Sequence, residues 1–206
     1  MGESMRRMQP IGTEEEALLL NDHIFLVKQE LTRQLSDLLG NCSESLRIDL
    51  EKNPQRIPAE VLKSSPKISK GENYLGRPWM ILDYPRVFSK EDMFAFRTLC
   101  WWGQGFSMTL LLKGIYLENL LEPLSNNAAV LSKSGFNIGI SNDPFIHHFG
   151  EDNIRPLNHF PEPGQLIKIR ANQSGFIKLA KLLPLQQHGS LVEETLKTWS
   201  TLRETF

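Results

Sequence analysis

The longest periodic stretch of the chain begins behind Thr13-Glu14-Glu15-Glu16, where Ala17, Leu20, Ile24, Val27, Leu31, Leu35 and Leu38 recur at three- and four-residue intervals. Thr13 and Glu16 have the spacing of a capping box, and the three carboxylates suit the positive end of a helix dipole. The pattern predicts one helix over 13–39 with Gly40 as its C-terminal cap. Such a helix is roughly 40 Å long at about 1.5 Å per residue. Leu18, Leu19, Phe25 and Leu26 widen its apolar stripe, which favours packing on the chain's own core. The alternative is a homodimer through helix 13–39.

A short polar helix is expected at 45–52. Pro54, Pro58 and Pro66 then mark 53–77 as an extended, exposed Pro/Ser/Lys-rich connection, with one turn of helix at 59–63. From Trp79 the period changes. Trp79-Met80-Ile81-Leu82-Asp83-Tyr84, bounded by Pro78 and Pro85, predicts a strand near a sheet edge, with Trp79, Ile81 and Asp83 on one face. Ser89-Lys90-Glu91-Asp92 repeats the capping-box chemistry and predicts a helix through Met93, Phe94, Phe96 and Leu99. Phe106, Met108, Leu110 and Leu112 alternate with their neighbours as the clearest strand, ended by Gly114.

A helix through Leu117, Leu121, Leu124, Ala128 and Leu131 is expected to kink or restart at Pro123 and to stop at Gly135. Strands are expected at 136–140 and 165–170, with irregular chain between them. Phe176, Ile177, Leu179, Ala180 and Leu183 predict a helix, and Ser190 opens a last one carrying Leu196, Trp199 and Leu202 inward. This order lacks strict strand–helix alternation and has no Gly-rich phosphate turn. It predicts an α+β fold: a flexible tail over 1–12, then one domain over 13–206. That domain has about four mostly antiparallel strands with helices packed on one face and a long N-terminal helix.

Composition narrows the function classes. The 206 residues carry 23 basic and 24 acidic side chains, a formal net charge of −1, which argues against a general nucleic-acid binder, because phosphate contacts need a surplus of Lys and Arg. No apolar run is long enough to span a bilayer, and no apolar stretch follows the first charges as in a secretory signal. A cytoplasmic protein is expected, with Cys42 and Cys100 as thiols.

The densest chemistry lies between 77 and 104. Arg77, Trp79, Asp83, Tyr84, Arg86, Arg97, Trp101 and Trp102 combine guanidinium forks with ring faces, a set that suits a flat or anionic organic ligand. The same aromatics equally serve as core filling, with the arginines paired to surface acids. His147 and His148 are adjacent, with Asp143, Glu151, Asp152 and His159 nearby. His147, His148 and His159 are the metal candidates, but no His-x-x-x-His spacing supports them and no metal is assigned. Cys100 matches no nucleophile signature, and Gly103-Gln104-Gly105 lacks the third glycine of a dinucleotide turn. No cofactor follows from the sequence. The expected function is recognition, of a small organic anion or of a protein partner, through the Trp/Arg region. The alternative is a hydrolase-type enzyme using His147 or His148 with Asp143 or Glu151, metal-assisted or not.

Overall fold

The computed structural model describes residues 10–206. Most of the tail expected over 1–12 therefore lies outside the described residues; Pro10, Ile11 and Gly12 are exposed coil. The chain divides into a unit ending at Leu35 and a unit from Ser36 to Phe206.

In the N-terminal unit the expected single helix is two. Helix α1 (Thr13–Leu19) ends at a turn through Leu20, and helix α2 (Asp22–Lys52) begins two residues later. Thr13 makes no capping bond; Gly12 occupies the N-cap position instead. The apolar side chains here are exposed: Leu20 is 77% accessible, and Leu18, Leu19, Ile24, Phe25, Leu26, Val27 and Leu31 stand open as well. The expectation that this stripe covers the chain's own core is corrected for these residues.

In the second unit the later turns of α2 bury Leu39, Cys42, Leu46 and Leu50. Gly40 is an interior helix residue rather than a cap, and the short helix expected at 45–52 is the end of α2. The stretch 53–77 is more structured than its prolines suggest. It holds helix α3 (Ala59–Leu62) and strand β1 (Lys67–Tyr74).

The sheet has seven strands, where about four were expected. After β1 come β2 (Arg77–Phe88), β3 (Met93–Trp101), β4 (Gly105–Lys113), β5 (Asn137–Gly139), β6 (Ile154–Pro156) and β7 (Phe176–Leu183). Their order in space is β1-β2-β3-β4-β7-β5-β6, and every pairing is antiparallel. Four helices complete the unit: α4 (Ile115–Asn126), α5 (Ala128–Lys133), α6 (Pro163–Ser174) and α7 (Leu191–Glu204).

Three elements differ in type from the sequence reading. The helix expected after Ser89 is β3. Ser89 and Asp92 do exchange capping-type bonds, Asp92 N–H donating to Ser89 Oγ at 2.8 Å, but these close the turn between β2 and β3. The Ser89 N–H donates to the Asp92 backbone carbonyl, and the Asp92 carboxylate accepts the Ile115 N–H, so the reciprocal half of a capping box is missing. The strand expected at 165–170 is helix α6, which starts with Pro163 in its first turn and ends at Gly175 in the left-handed conformation. The helix expected over 176–183 is β7, paired with β4 from Phe106↔Leu183 to Lys113↔Phe176. Apolar residues on both faces of a central strand erase the period-two signal.

Both faces of β3 are buried along its whole length. On one face Phe94 and Phe96 meet Trp199 of α7, and Phe94 also meets Tyr116 of α4 at 5.8 Å between ring centroids. Trp199 is fully buried, and its indole N–H donates to Asp49 of α2 at 2.9 Å. The other face carries Arg97, Leu99 and Trp101. Irregular chain from Ser141 to Asn153 reaches across part of this face and is tied to it by side-chain bonds. This second face positions the candidate site.

Candidate functional site

Pairing of β2 with β3 places Trp79 opposite Trp101, Ile81 opposite Leu99 and Asp83 opposite Arg97. Side chains alternate along a strand, so these six share one sheet face. The edge strand β1 adds Ser69 opposite Ile81 and Gly71 opposite Trp79. A Cβ on Gly71 would lie 2.6 Å from the Trp79 ring, so the absent side chain lets that indole lie flat over the edge strand. Tyr84, the next residue along the strand, points to the opposite face, and the ladder then slips by a bulge between Asp83 and Arg86.

These strands floor a cavity of about 420 Å³, lined by Ser69, Trp79, Ile81, Asp83, Arg97 and Leu99. Asn73 and Tyr74 close it from the end of β1, and Phe145 and His147 from the crossing segment. Arg97 and Asp83 are buried and form a two-pronged pair: Nε donates to Oδ1 at 2.7 Å and Nη2 to Oδ2 at 3.0 Å. Burial without that partner would cost several kcal/mol, so the two charges exist here as a unit. Nη1 of the same guanidinium lies 3.3 Å from Nε2 of His147, and its carbon lies 6.0 Å from the Phe145 ring centroid.

His147 is an uncharged imidazole. Burial, together with the Arg97 and Lys178 charges, lowers its pKa to about 3. Tyr74 holds the segment in place: its hydroxyl oxygen accepts the backbone N–H of His147 at 2.7 Å and of His148 at 3.3 Å. The Tyr74 ring also meets Trp101 edge-on at 5.2 Å and the His147 ring at 5.5 Å. Lys178 of β7 donates to the carbonyl of Ile146, and Asn153 Nδ2 donates to the carbonyls of Ile146 and His148. Burial lowers the Lys178 ammonium to about 8, with Asp143 opposing that shift.

The structure separates the sequence candidates into two groups. Trp79, Asp83 and Arg97 line the cavity. Trp101 is buried behind it, its indole N–H donating to the Tyr74 carbonyl at 3.2 Å. Arg77 lies over the Trp101 ring at 5.9 Å and donates to the Leu75 carbonyl, and Arg86 donates to the Ser65 carbonyl. Trp102 sits half-buried in the turn between β3 and β4. Tyr84 is buried, its hydroxyl pushed up by that burial, and it feels the charges of Arg47, Glu51 and Glu44 on α2.

The histidine-loop candidates do not converge. His148 Nε2 contacts exposed Asp152 at 2.9 Å, which holds that carboxyl below its usual range. Asp143 accepts the Phe145 amide at 2.8 Å, and His159 ends a tight turn at Leu157–His159. Glu151 contributes its backbone carbonyl to Arg155. Among the described residues no three His, Cys, Asp or Glu side chains gather as metal donors. Cys100 faces away from Arg97 along β3, and burial pushes its thiol up to about 12.

Sequence reasoning missed Gly71, Tyr74, Phe145 and Lys178. The first two lay in the stretch read as a connection, although Asn73 and Gly76 mark a turn there: Asn73 Oδ1 accepts the Gly76 N–H at 3.0 Å. Phe145 and Lys178 reach the site only through tertiary contacts that no local pattern encodes. No helix among the described residues is long and apolar enough to cross a membrane. The chain matches no protein-family model, and neither the curated proteins nor the solved structures contain a significant match to it.

Proposed function

We propose that the Ser36–Phe206 unit is a recognition module that takes a small, flat, uncharged organic molecule in the cavity between β1–β3 and the segment carrying His147. One observation carries this reading. The guanidinium on the cavity floor is fully matched by Asp83 and shared with a neutral His147, while Trp79, Tyr74 and Phe145 supply aromatic surface around it. Ring walls over a floor whose charges cancel suit a ring-bearing neutral ligand, and about 420 Å³ lies within the range of small-molecule sites.

The geometry favours this over a small organic anion. An entering carboxylate would compete with Asp83 for Arg97, and Arg77 and Arg86 are engaged outside the cavity. It also favours recognition over the hydrolase alternative, because the Asp143 and His148 side chains have separate partners and Glu151 is exposed. The test is a thermal-shift and tryptophan-fluorescence screen of two-ring compounds, repeated on Trp79→Ala. Stabilisation by neutral flat compounds that is lost in the variant supports the proposal. No response to any ring compound, or a response unchanged in Trp79→Ala, contradicts it.

A second reading concerns the N-terminal unit, where the open apolar row from Leu18 to Leu31 favours a protein partner, namely a second copy of the chain. Arg33 is paired with Glu30 within the helix, so such an association rests on the apolar row.

A further inference from the structure

The polar groups that border the cavity are committed unevenly, and the imbalance defines the occupant's edge. Tyr74 Oη accepts two backbone amides, from His147 and His148. A phenol has two acceptor positions and one proton, so the hydroxyl has only its proton left to offer. A guanidinium has no acceptor, so Arg97 Nη1 donates to Nε2 of His147, and the neutral ring carries its own proton on Nδ1. Of the five Arg97 N–H groups, two bind Asp83 and one binds His147, which leaves one on each Nη. Both Asp83 oxygens face the guanidinium. The uncommitted groups of Tyr74, His147 and Arg97 are therefore all donors, and the acceptors left at the cavity are the Ser69 hydroxyl, Asn73 Oδ1 and the remaining lone pairs of Asp83, whose oxygens already face the guanidinium.

We infer that the cavity selects a flat ring whose edge carries a carbonyl-type oxygen acceptor, and that it rejects ring amines. This rests on the ring-binding reading above and gives it a ligand class. An acceptor oxygen would satisfy donors that the fold leaves unspent beside the ring walls. An ammonium would set donors against donors and place its charge beside Arg97 and Lys178, with only Asp83 and the exposed Asp143 to offset them.

The test uses the unmodified protein and a matched set: indane, 1-indanone, indane-1-carboxylate and 1-aminoindane. Affinities come from NMR titration of the Trp79 indole N–H. The expected result is at least tenfold tighter binding of 1-indanone than of indane, with 1-aminoindane weaker than indane. Equal affinity of indane and 1-indanone, or preference for 1-aminoindane, overturns the acceptor inference while leaving the ring site standing. Tightest binding by the carboxylate supports the acceptor inference and overturns the preference for an uncharged ligand. If no member of the set perturbs Trp79, the ring-binding reading itself fails. Independently, nitrogen-15 chemical shifts of the histidines at pH 7 are expected to show His147 protonated on Nδ1 alone; a proton on Nε2 overturns the donor inventory.

Discussion

Arg97 and His147, fifty residues apart in the chain, meet with Nη1 3.3 Å from Nε2. The contact joins the third strand of the sheet to a segment with no regular structure, and it works only while the imidazole is neutral. Protonation would put two cations face to face in a buried site, with Lys178 close behind.

The pH dependence of stability follows from this contact. Burial and the Arg97 and Lys178 charges lower the folded His147 imidazole to about 3 from its ordinary 6.5, so between these values the unfolded chain binds the extra proton. Its contribution therefore favours unfolding as pH falls from about 6.5 toward 3, and is absent above that window. At pH 4.5, two units below the ordinary value, the cost to the native state is about 3 kcal/mol at roughly 1.4 kcal/mol per pH unit. Urea unfolding of wild type and His147→Asn at pH 7 and pH 4.5 checks this. The wild type is expected to lose more stability than the variant over that interval, and equal losses would contradict it.

Asp83→Ala is expected to destabilise by about 3–5 kcal/mol, because it leaves the Arg97 guanidinium buried without its counter-charge. The double variant Asp83→Leu with Arg97→Met removes both charges and is expected to recover most of that loss. Denaturant midpoints of the single and double variants give the comparison. A single variant as stable as wild type would show that water screens the pair.

Gly71→Ala sets a methyl group 2.6 Å from the Trp79 ring, so the indole must tilt or the edge strand must shift. Overpacking of this kind costs about 1–3 kcal/mol. The variant is expected to shift the tryptophan emission and to weaken ring-compound binding without abolishing folding. Emission and binding identical to wild type would mean that the edge strand gives way freely.

The parts legible in the sequence share one property: their signals are local. Strand β4 is legible through Phe106, Met108, Leu110 and Leu112, and helix α7 through Trp199 and Leu202, although Ser190 at its start donates to the Gln187 carbonyl and makes no capping bond. Trp79, Ile81 and Asp83 were assigned to one face by period alone, and all three border the cavity. Where the reading failed, one pattern served two structures. Residues 93–99 suit either a helix or a strand buried on both faces, and only pairing with β2 and β4 decides between them. The stretch 165–170 is too short to distinguish alternation from a helix, although Pro163 and Gly175 punctuate it as one. The same locality explains the site. Asp83 and Arg97 stood out by residue type, whereas Tyr74, Phe145 and Lys178 matter only through where the sheet and the crossing segment bring them.

The exposed row on α1 and the first turns of α2 predicts self-association at working concentrations. Light scattering coupled to size exclusion is expected to show a dimer whose fraction rises with concentration. Leu20→Glu with Ile24→Glu is expected to give a monomer with an unchanged thermal midpoint at low concentration. A wild type that stays monomeric at every concentration would contradict the second-copy reading and leave the cavity untouched.

The most direct measurement is a titration of the nitrogen-15-labelled protein with 1-indanone, following all four indole N–H signals together. Trp79 and the His147 Nδ1 signal are expected to move together with one dissociation constant, while Trp199, held by Asp49 on the opposite side of the sheet, does not move. Movement confined to Trp199, or no movement of Trp79 at saturating ligand, would contradict the ring-binding reading.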